Sequence, residues 1–172
     1  PYVDVLLGPE MKSTGEVMWL DKDFGLAYAK SQIAAGNSLP TKGLAFISLQ
    51  DKHKNEGVDL AKKLVKLNFT LCGTEGTAKV IKKNCIKCKK VNKVSGGSPH
   101  IVDILNSKKI AFVINTGGGK RAYRVQDSTS LRRATLINKV PYCTNMSTAY
   151  ACLEGIKSLK TKKITVTSLQ DI

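Results

Sequence analysis

The sequence predicts an α/β fold in three layers, a mostly parallel central sheet of about five strands with helices on both faces. Three observations predict it. Leu44-Ala45-Phe46-Ile47-Ser48 and Ile110-Ala111-Phe112-Val113-Ile114 are short continuous apolar runs, as in strands buried on both faces. Helical patterns lie between the runs, with apolar side chains on one face and lysines on the other. The connections between them are short, as repeated strand–helix–strand units require.

Each element has a local reason. Residues 24–35 read as a helix, with Phe24, Tyr28 and Ile33 at helical spacing and Gly36-Asn37 as its stop. Asn37-Ser38-Leu39-Pro40-Thr41-Lys42-Gly43 is a linker, so the expected division is 1–42 against a domain of 43–172. After the strand at 44–48, residues 55–67 form an amphipathic helix with Val58, Ala61, Leu64 and Val65 inward. Phe69-Thr70-Leu71-Cys72 is a second strand, and Gly73-Thr74-Glu75-Gly76-Thr77 opens a helix that ends near Lys83. Residues 86–94 suggest a third, more polar strand, and 100–107 a short helix. After the strand at 110–114, Asp127-Ser128 is expected to cap a helix ending near Asn138. Val140-Pro141-Tyr142 is a short strand, 146–159 a helix, and 164–167 an edge strand.

The bulk numbers exclude several classes. The 172 residues are 42% hydrophobic and 24% charged, ordinary for a soluble domain. No apolar run approaches the roughly 20 residues of a membrane span. No signal-peptide pattern stands at the start, and a chain opening at Pro1 is expected to be a piece of a longer protein. A net charge of +15 raises nucleic-acid binding. Lysine dominates it, however, spread along the chain, with no Arg-rich arm and no aromatic stacking platform. A solvated lysine-rich surface is the reading it favours, with a local anion site as the alternative. The five cysteines form no regular framework, and Cys85-Ile86-Lys87-Cys88 has no second pair, which argues against zinc, redox chemistry and structural disulfides. The expected location is the cytoplasm.

In a parallel sheet, ligands bind outside the carboxyl ends of the strands. The residues there are 51–54, 73–77, Lys93, 115–120 and 142–144. Thr74 to Thr77 stand at a helix N-terminus, where free N–H groups and the helix dipole favour a phosphate. Lys54 and Lys93 add point charges, and Asn115-Thr116 adds donors before three glycines. Neither a P-loop nor a dinucleotide-binding glycine motif is present, and no Ser/His/Asp or Cys/His set falls at the strand ends.

Several motifs, in order and spacing, carry a family resemblance: Gly8-Pro9-Glu10-Met11-Lys12-Ser13-Thr14-Gly15-Glu16, Thr74-Glu75-Gly76-Thr77-Ala78, Val91-Asn92-Lys93-Val94, Pro99-His100-Ile101-Val102-Asp103, Val113-Ile114-Asn115-Thr116 and Leu131-Arg132-Arg133-Ala134. Together they resemble the C-terminal allosteric domain of carbamoyl-phosphate synthetase large subunits, over nearly the whole chain. The resemblance implies a methylglyoxal-synthase-like fold in 43–172, with 1–42 as the edge of a synthetase domain, a connecting helix and a linker. It implies a regulatory, non-catalytic role in a glutamine-hydrolysing enzyme of arginine and pyrimidine biosynthesis. UMP as inhibitor and IMP as activator are expected at Lys54, Thr74, Thr77, Lys93, Asn115 and Thr116. Ornithine is expected at Tyr142, Cys143 and Thr144. The implied partners are the rest of the large subunit, a glutaminase small subunit and further copies of the domain. No cofactor is implied here; ATP with Mg²⁺ or Mn²⁺ belongs to the parent enzyme. Neither nucleic acid nor membrane is implied. Two positions depart from the family. Gly117 stands where it often carries a hydroxyl, and Cys143 where some relatives carry an acid, which weakens ornithine control relative to nucleotide control.

The rival of the same fold is methylglyoxal synthase, which needs a carboxylate base beside the phosphate. Its Gly-Gly-Asp stretch resembles Gly96-Gly97-Ser98, so no base is expected. The inosinicase run Asp-Gly-Arg-Val-Lys-Thr-Leu-His-Pro is absent. The rival from another class is a basic nucleic-acid-binding domain, which would bind RNA with a steep salt slope.

Overall fold

A computed structural model describes residues 17–117, 122–166 and 170, with 122–126 described in backbone only. The opening motif at 8–16 and the glycines and lysine at 118–120 lie outside the described residues. The elements are α1 (Phe24–Ala34), β1 (Gly43–Ser48), α2 (Lys54–Lys66), β2 (Phe69–Gly73), α3 (Glu75–Lys83), β3 (Lys89–Lys90), α4 (Ile101–Asn106), β4 (Ile110–Asn115), α5 (Ala122–Ile137), β5 (Tyr142–Cys143) and α6 (Met146–Thr161). All strand pairs are parallel, in the order β3-β2-β1-β4-β5. No described helix is long and apolar enough to cross a membrane.

The continuous apolar runs are explained by two cores, one on each face of the sheet. Side chains alternate along a strand. Ala45 and Ile47 of β1 and Phe112 and Ile114 of β4 join the core under α2, α3 and α6. Phe46 and Val113 point the other way, into the core with Ile101, Leu105 and Leu131 of α4 and α5. Both faces are covered, so Leu44 to Ile47 and Ile110 to Ile114 are apolar at every position, and the polar Ser48 and Asn115 stand only at the strand ends.

α1 is held by its N-cap. Asp23 accepts from the Leu26 N–H at 2.9 Å, from Ser158 Oγ at 2.7 Å and from Lys162 Nζ at 2.6 Å. It therefore joins the start of α1 to the end of α6. The two helices approach closely at Gly25, where a Cβ would stand 2.3 Å from Ser158 Oγ and 2.5 Å from the Glu154 carbonyl oxygen. Residue 42 falls in the linker between α1 and β1, and Ala29 and Leu39 on its N-terminal side are buried in the first core.

Four expectations need correction. The third strand shrinks from 86–94 to Lys89–Lys90, because it pairs only with Cys72 and Gly73, and beyond Gly73 its partner turns into the N-cap of α3 at Thr74. Beyond it only an isolated bridge joins Asn92 to His100. Residues 164–166 form no strand. Asp127 does not cap α5, which begins at Ala122; it sits inside the helix, and its carboxylate binds Ser95 instead. Val65 is 45% exposed and is not a core residue of α2.

Candidate functional site

The carboxyl ends of β1, β2 and β4 and the segment after β3 open into one cleft of about 830 Å³. Each wall follows from local structure. β2 ends at Gly73, and Thr74 takes an extended N-cap conformation (φ −61°, ψ 154°) without capping the helix through its side chain. The first-turn N–H groups of α3 therefore remain uncapped at the cleft. The Thr74 hydroxyl instead meets Thr77 Oγ1 at 3.3 Å and Ser48 Oγ at 3.5 Å. Lys54, the first residue of α2, reaches across to this helix end: a Cβ on Gly76 would stand 3.1 Å from its Nζ. Its ion-pair partner is the exposed Asp51, 2.5 Å away. Lys93 stands exposed on the opposite rim with no carboxylate partner among the described residues. Lys90 is paired with Glu75 at 3.0 Å.

Asn115 ends β4 and is 5% exposed. Its Nδ2 donates to the Tyr142 hydroxyl at 3.0 Å, and its Oδ1 accepts from the Gly117 N–H at 3.1 Å. Phe46, Val91, Ile101 and Leu131 form an apolar flank. The site thus combines cations and open backbone donors at one end with an apolar wall suited to a flat ring.

The structure brings Lys54, Thr74, Thr77, Lys93 and Asn115 to this cleft. Two of the hydroxyls have structural duties. Thr77, 1% exposed, accepts from the Leu49 N–H at 3.0 Å. Thr116 accepts from the Gln50 N–H at 3.1 Å and does not line the cleft. Tyr142, Cys143 and Thr144 lie behind it. Tyr142 touches it through Asn115, and Thr144 is exposed. Cys143 is 2% exposed and faces the core, its Sγ 3.5 Å from Cys152 Sγ, which lies 3.4 Å from the Tyr28 hydroxyl. The hydrogen bond with Cys152 and burial push the Cys143 thiol well above the usual thiol range. It presents nothing to a soluble ligand.

Sequence reasoning missed Ser48, Ser95 and Asp127, all on the cleft wall. Ser48 closes β1, and the strand-end rule reaches it. The pairing of Asp127 with Ser95 has no local signal, because 32 residues separate them. Asp127 joins Asp51 and Glu75 as a carboxylate on the cleft wall, and both its oxygens are engaged, Oδ1 by the Ser95 N–H at 3.0 Å and Oδ2 by Ser95 Oγ at 2.8 Å. Ser98 turns away and donates to Asp103. Among the described residues no cluster of three or more His, Cys, Asp or Glu side chains is placed to hold a metal ion.

A family model for the MGS-like domain matches residues 56–144, a span that contains β2, β3, β4 and most of the cleft. The chain belongs to the MGS-like domain family. The chain is 47% identical over 99% of its length to the carbamoyl phosphate synthase large chain of Mesorhizobium japonicum, covering 14% of that protein. It is 49% identical over its whole length to the C-terminal section of the Aquifex aeolicus large chain, covering 33% of it. The corresponding section from Methanopyrus kandleri is 48% identical. The chain therefore spans a third or less of these relatives. Among solved structures, the methylglyoxal synthase of Elizabethkingia anophelis superposes with a TM-score of 0.51 at 19% identity, over 67% of this chain and 79% of that one. That likeness concerns the fold.

Proposed function

We propose that this MGS-like domain is the effector-binding, regulatory part of a carbamoyl-phosphate synthase large chain, and that the cleft takes a nucleoside monophosphate. The observation that carries this is the meeting of Lys54, Lys93 and the uncapped end of α3 in one cleft beside an apolar wall. A phosphate at the helix end gains backbone donors, a favourable dipole and two ammonium groups. The base lies toward Phe46, Val91, Ile101 and Leu131. UMP and IMP are the proposed effectors, and ornithine is proposed near Tyr142 and Thr144, with Cys143 excluded by its burial. The proposed partners are the rest of the large chain, a glutaminase subunit and further copies of the domain, in the cytoplasm. ATP with Mg²⁺ or Mn²⁺ serves the parent's ligase chemistry in arginine and pyrimidine synthesis, outside this chain.

Regulation of this kind is a coupling free energy, typically about 1–3 kcal/mol. The effector must bind differently in two arrangements of the parent. Titration calorimetry of this chain with UMP, IMP and a short RNA at two salt concentrations tests the reading. Saturable binding of UMP or IMP with one site is the expected result. RNA binding with a steep salt slope and no nucleotide heat would overturn it.

A further inference from the structure

At the other ends of the strands, away from the cleft, a second groove of about 850 Å³ lies between the C-terminal ends of α2 and α3. Its floor is apolar: Val65 of α2, Phe69 and Leu71 of β2, and Ile86. Its rim carries Lys62, Lys66, Lys82, Lys87 and Lys89, and no carboxylate lines it. Among the described residues none of the five lysines is in an ion pair. Helix dipoles account for Lys66 and Lys82, which stand in last turns, but not for Lys62, Lys87 and Lys89.

The backbone beside the groove is also unsatisfied as a sheet edge. β3 pairs with β2 only at Cys72 and Gly73. No strand ladder and no described backbone hydrogen bond covers the outer edge of Phe69 to Leu71. An open edge over an apolar floor accepts an added extended chain, with main-chain hydrogen bonds along the edge and alternate side chains in the groove.

We propose that this groove docks an acidic, apolar-anchored polypeptide segment extended along the outer edge of β2. The rim chooses the occupant. Five unpaired ammonium groups match a ligand with several carboxylates, whereas a single-carboxylate amphiphile would satisfy one of them. A second copy of this chain meeting the groove with its own would set one lysine rim against another, so self-association at this groove is disfavoured. A lipid surface needs a cluster of protruding apolar groups, whereas here Val65 alone is well exposed and Phe69 and Leu71 are recessed to 3% and 4% exposure. The charges steer the acidic segment to the groove, and the apolar floor discriminates among acidic segments.

Cys85 gives a direct readout. It lines the groove and is exposed, while the other four cysteines are buried. The full chain is labelled there with an environment-sensitive thiol dye and titrated with two ten-residue peptides of equal charge, an alternating Glu-Val repeat and an alternating Glu-Ser repeat. Unlabelled protein is titrated in parallel by calorimetry. Binding of the Glu-Val peptide is expected to be at least about tenfold tighter than that of Glu-Ser, a difference of about 1.4 kcal/mol. Val65→Glu and Lys87→Glu are each expected to weaken it about fivefold or more while leaving UMP binding unchanged. Both positions are exposed, so neither variant threatens the fold. Equal affinity for the two peptides would mean that bulk charge alone attracts them, and would overturn the proposal. So would unchanged binding in Val65→Glu, or a dye response to phosphatidylserine vesicles as large as the response to the peptide.

Discussion

Replacing Gly76 with alanine separates what the first turn of α3 does for the fold from what it does for a ligand. Gly76 does not use the left-handed backbone, so alanine fits its conformation. Removing a glycine from a helix stabilises it by about 0.5–1 kcal/mol. For a chain of this size that raises Tm by about 1–4 °C. The new Cβ meets only the tip of Lys54, with Nζ at 3.1 Å and Cε at 3.7 Å, and a flexible ammonium can retreat by a few tenths of an ångström. The pairing of Lys54 with the exposed Asp51 adds little to stability, so its disturbance does not offset the gain. A phosphate at this helix end fares differently. The methyl group stands between it and the backbone donors and moves the ammonium away. Loss of one charge-assisted hydrogen bond costs about 1.5–3 kcal/mol, or about 10- to 150-fold in Kd. Thermal melts without ligand, together with UMP and IMP calorimetry at fixed salt, read the two effects separately. A raised Tm with unchanged affinity would show that the phosphate does not sit at α3. A lowered Tm would refute the packing described around Gly76.

Four further outcomes are expected. Lys93→Ala should weaken UMP and IMP binding about three- to tenfold in calorimetry, and less at high salt, since an exposed charge is screened. Gly25→Ala should lower stability by about 1–3 kcal/mol in urea titration, because the Glu154 backbone cannot yield to the added methyl. One thiol per chain, Cys85, should react with a thiol reagent near pH 8 before denaturant is added. Burial pushes the Cys72 thiol up to about 12 and that of Cys88 to about 11, and Cys143 and Cys152 are buried. The carboxyl of Asp23 is held below the usual carboxylate range by the hydrogen bonds from Lys162, Ser158 and the Leu26 N–H. Its stabilising effect is therefore present above the ordinary carboxylate value near 3.8 and is lost as pH falls below it. Asp23→Asn should flatten that part of the acid-unfolding curve.

The sheet was legible because β1 and β4 carry unbroken apolar runs up to their last residue, a pattern that burial on both faces imposes on Phe46 and Val113 as much as on Ile47 and Ile114. The cleft was legible in part because strand ends and helix N-termini are local features, which is why Thr74, Lys54 and Asn115 stood out. What stayed hidden depends on distant pairing. Asp127 resembles a cap because aspartate before a helical run usually is one, and only the fold brings Ser95 to it. Cys143 sits beside a site-like tyrosine, and the period-two alternation of β5 turns it inward when Tyr142 turns toward Asn115. The stop of β3 after two residues was equally invisible, since it is set by its partner β2, which turns after Gly73 into the N-cap of α3.

The contacts from Asn115 to Tyr142, and from the adjoining Cys143 through Cys152 to Tyr28, form an unbroken line from the floor of the cleft to α1. Burial raises the phenol of Tyr28, and the hydrogen bond with Cys152 and burial raise the thiol of Cys143, while the hydrogen bond with Cys143 lowers that of Cys152. The line is one of packed side chains away from the solvent. On the proposed reading, added salt would loosen an anion's grip on the lysine-rimmed cleft while leaving these inner contacts in place. Affinity and any transmission to α1 would then answer to different properties of the solvent.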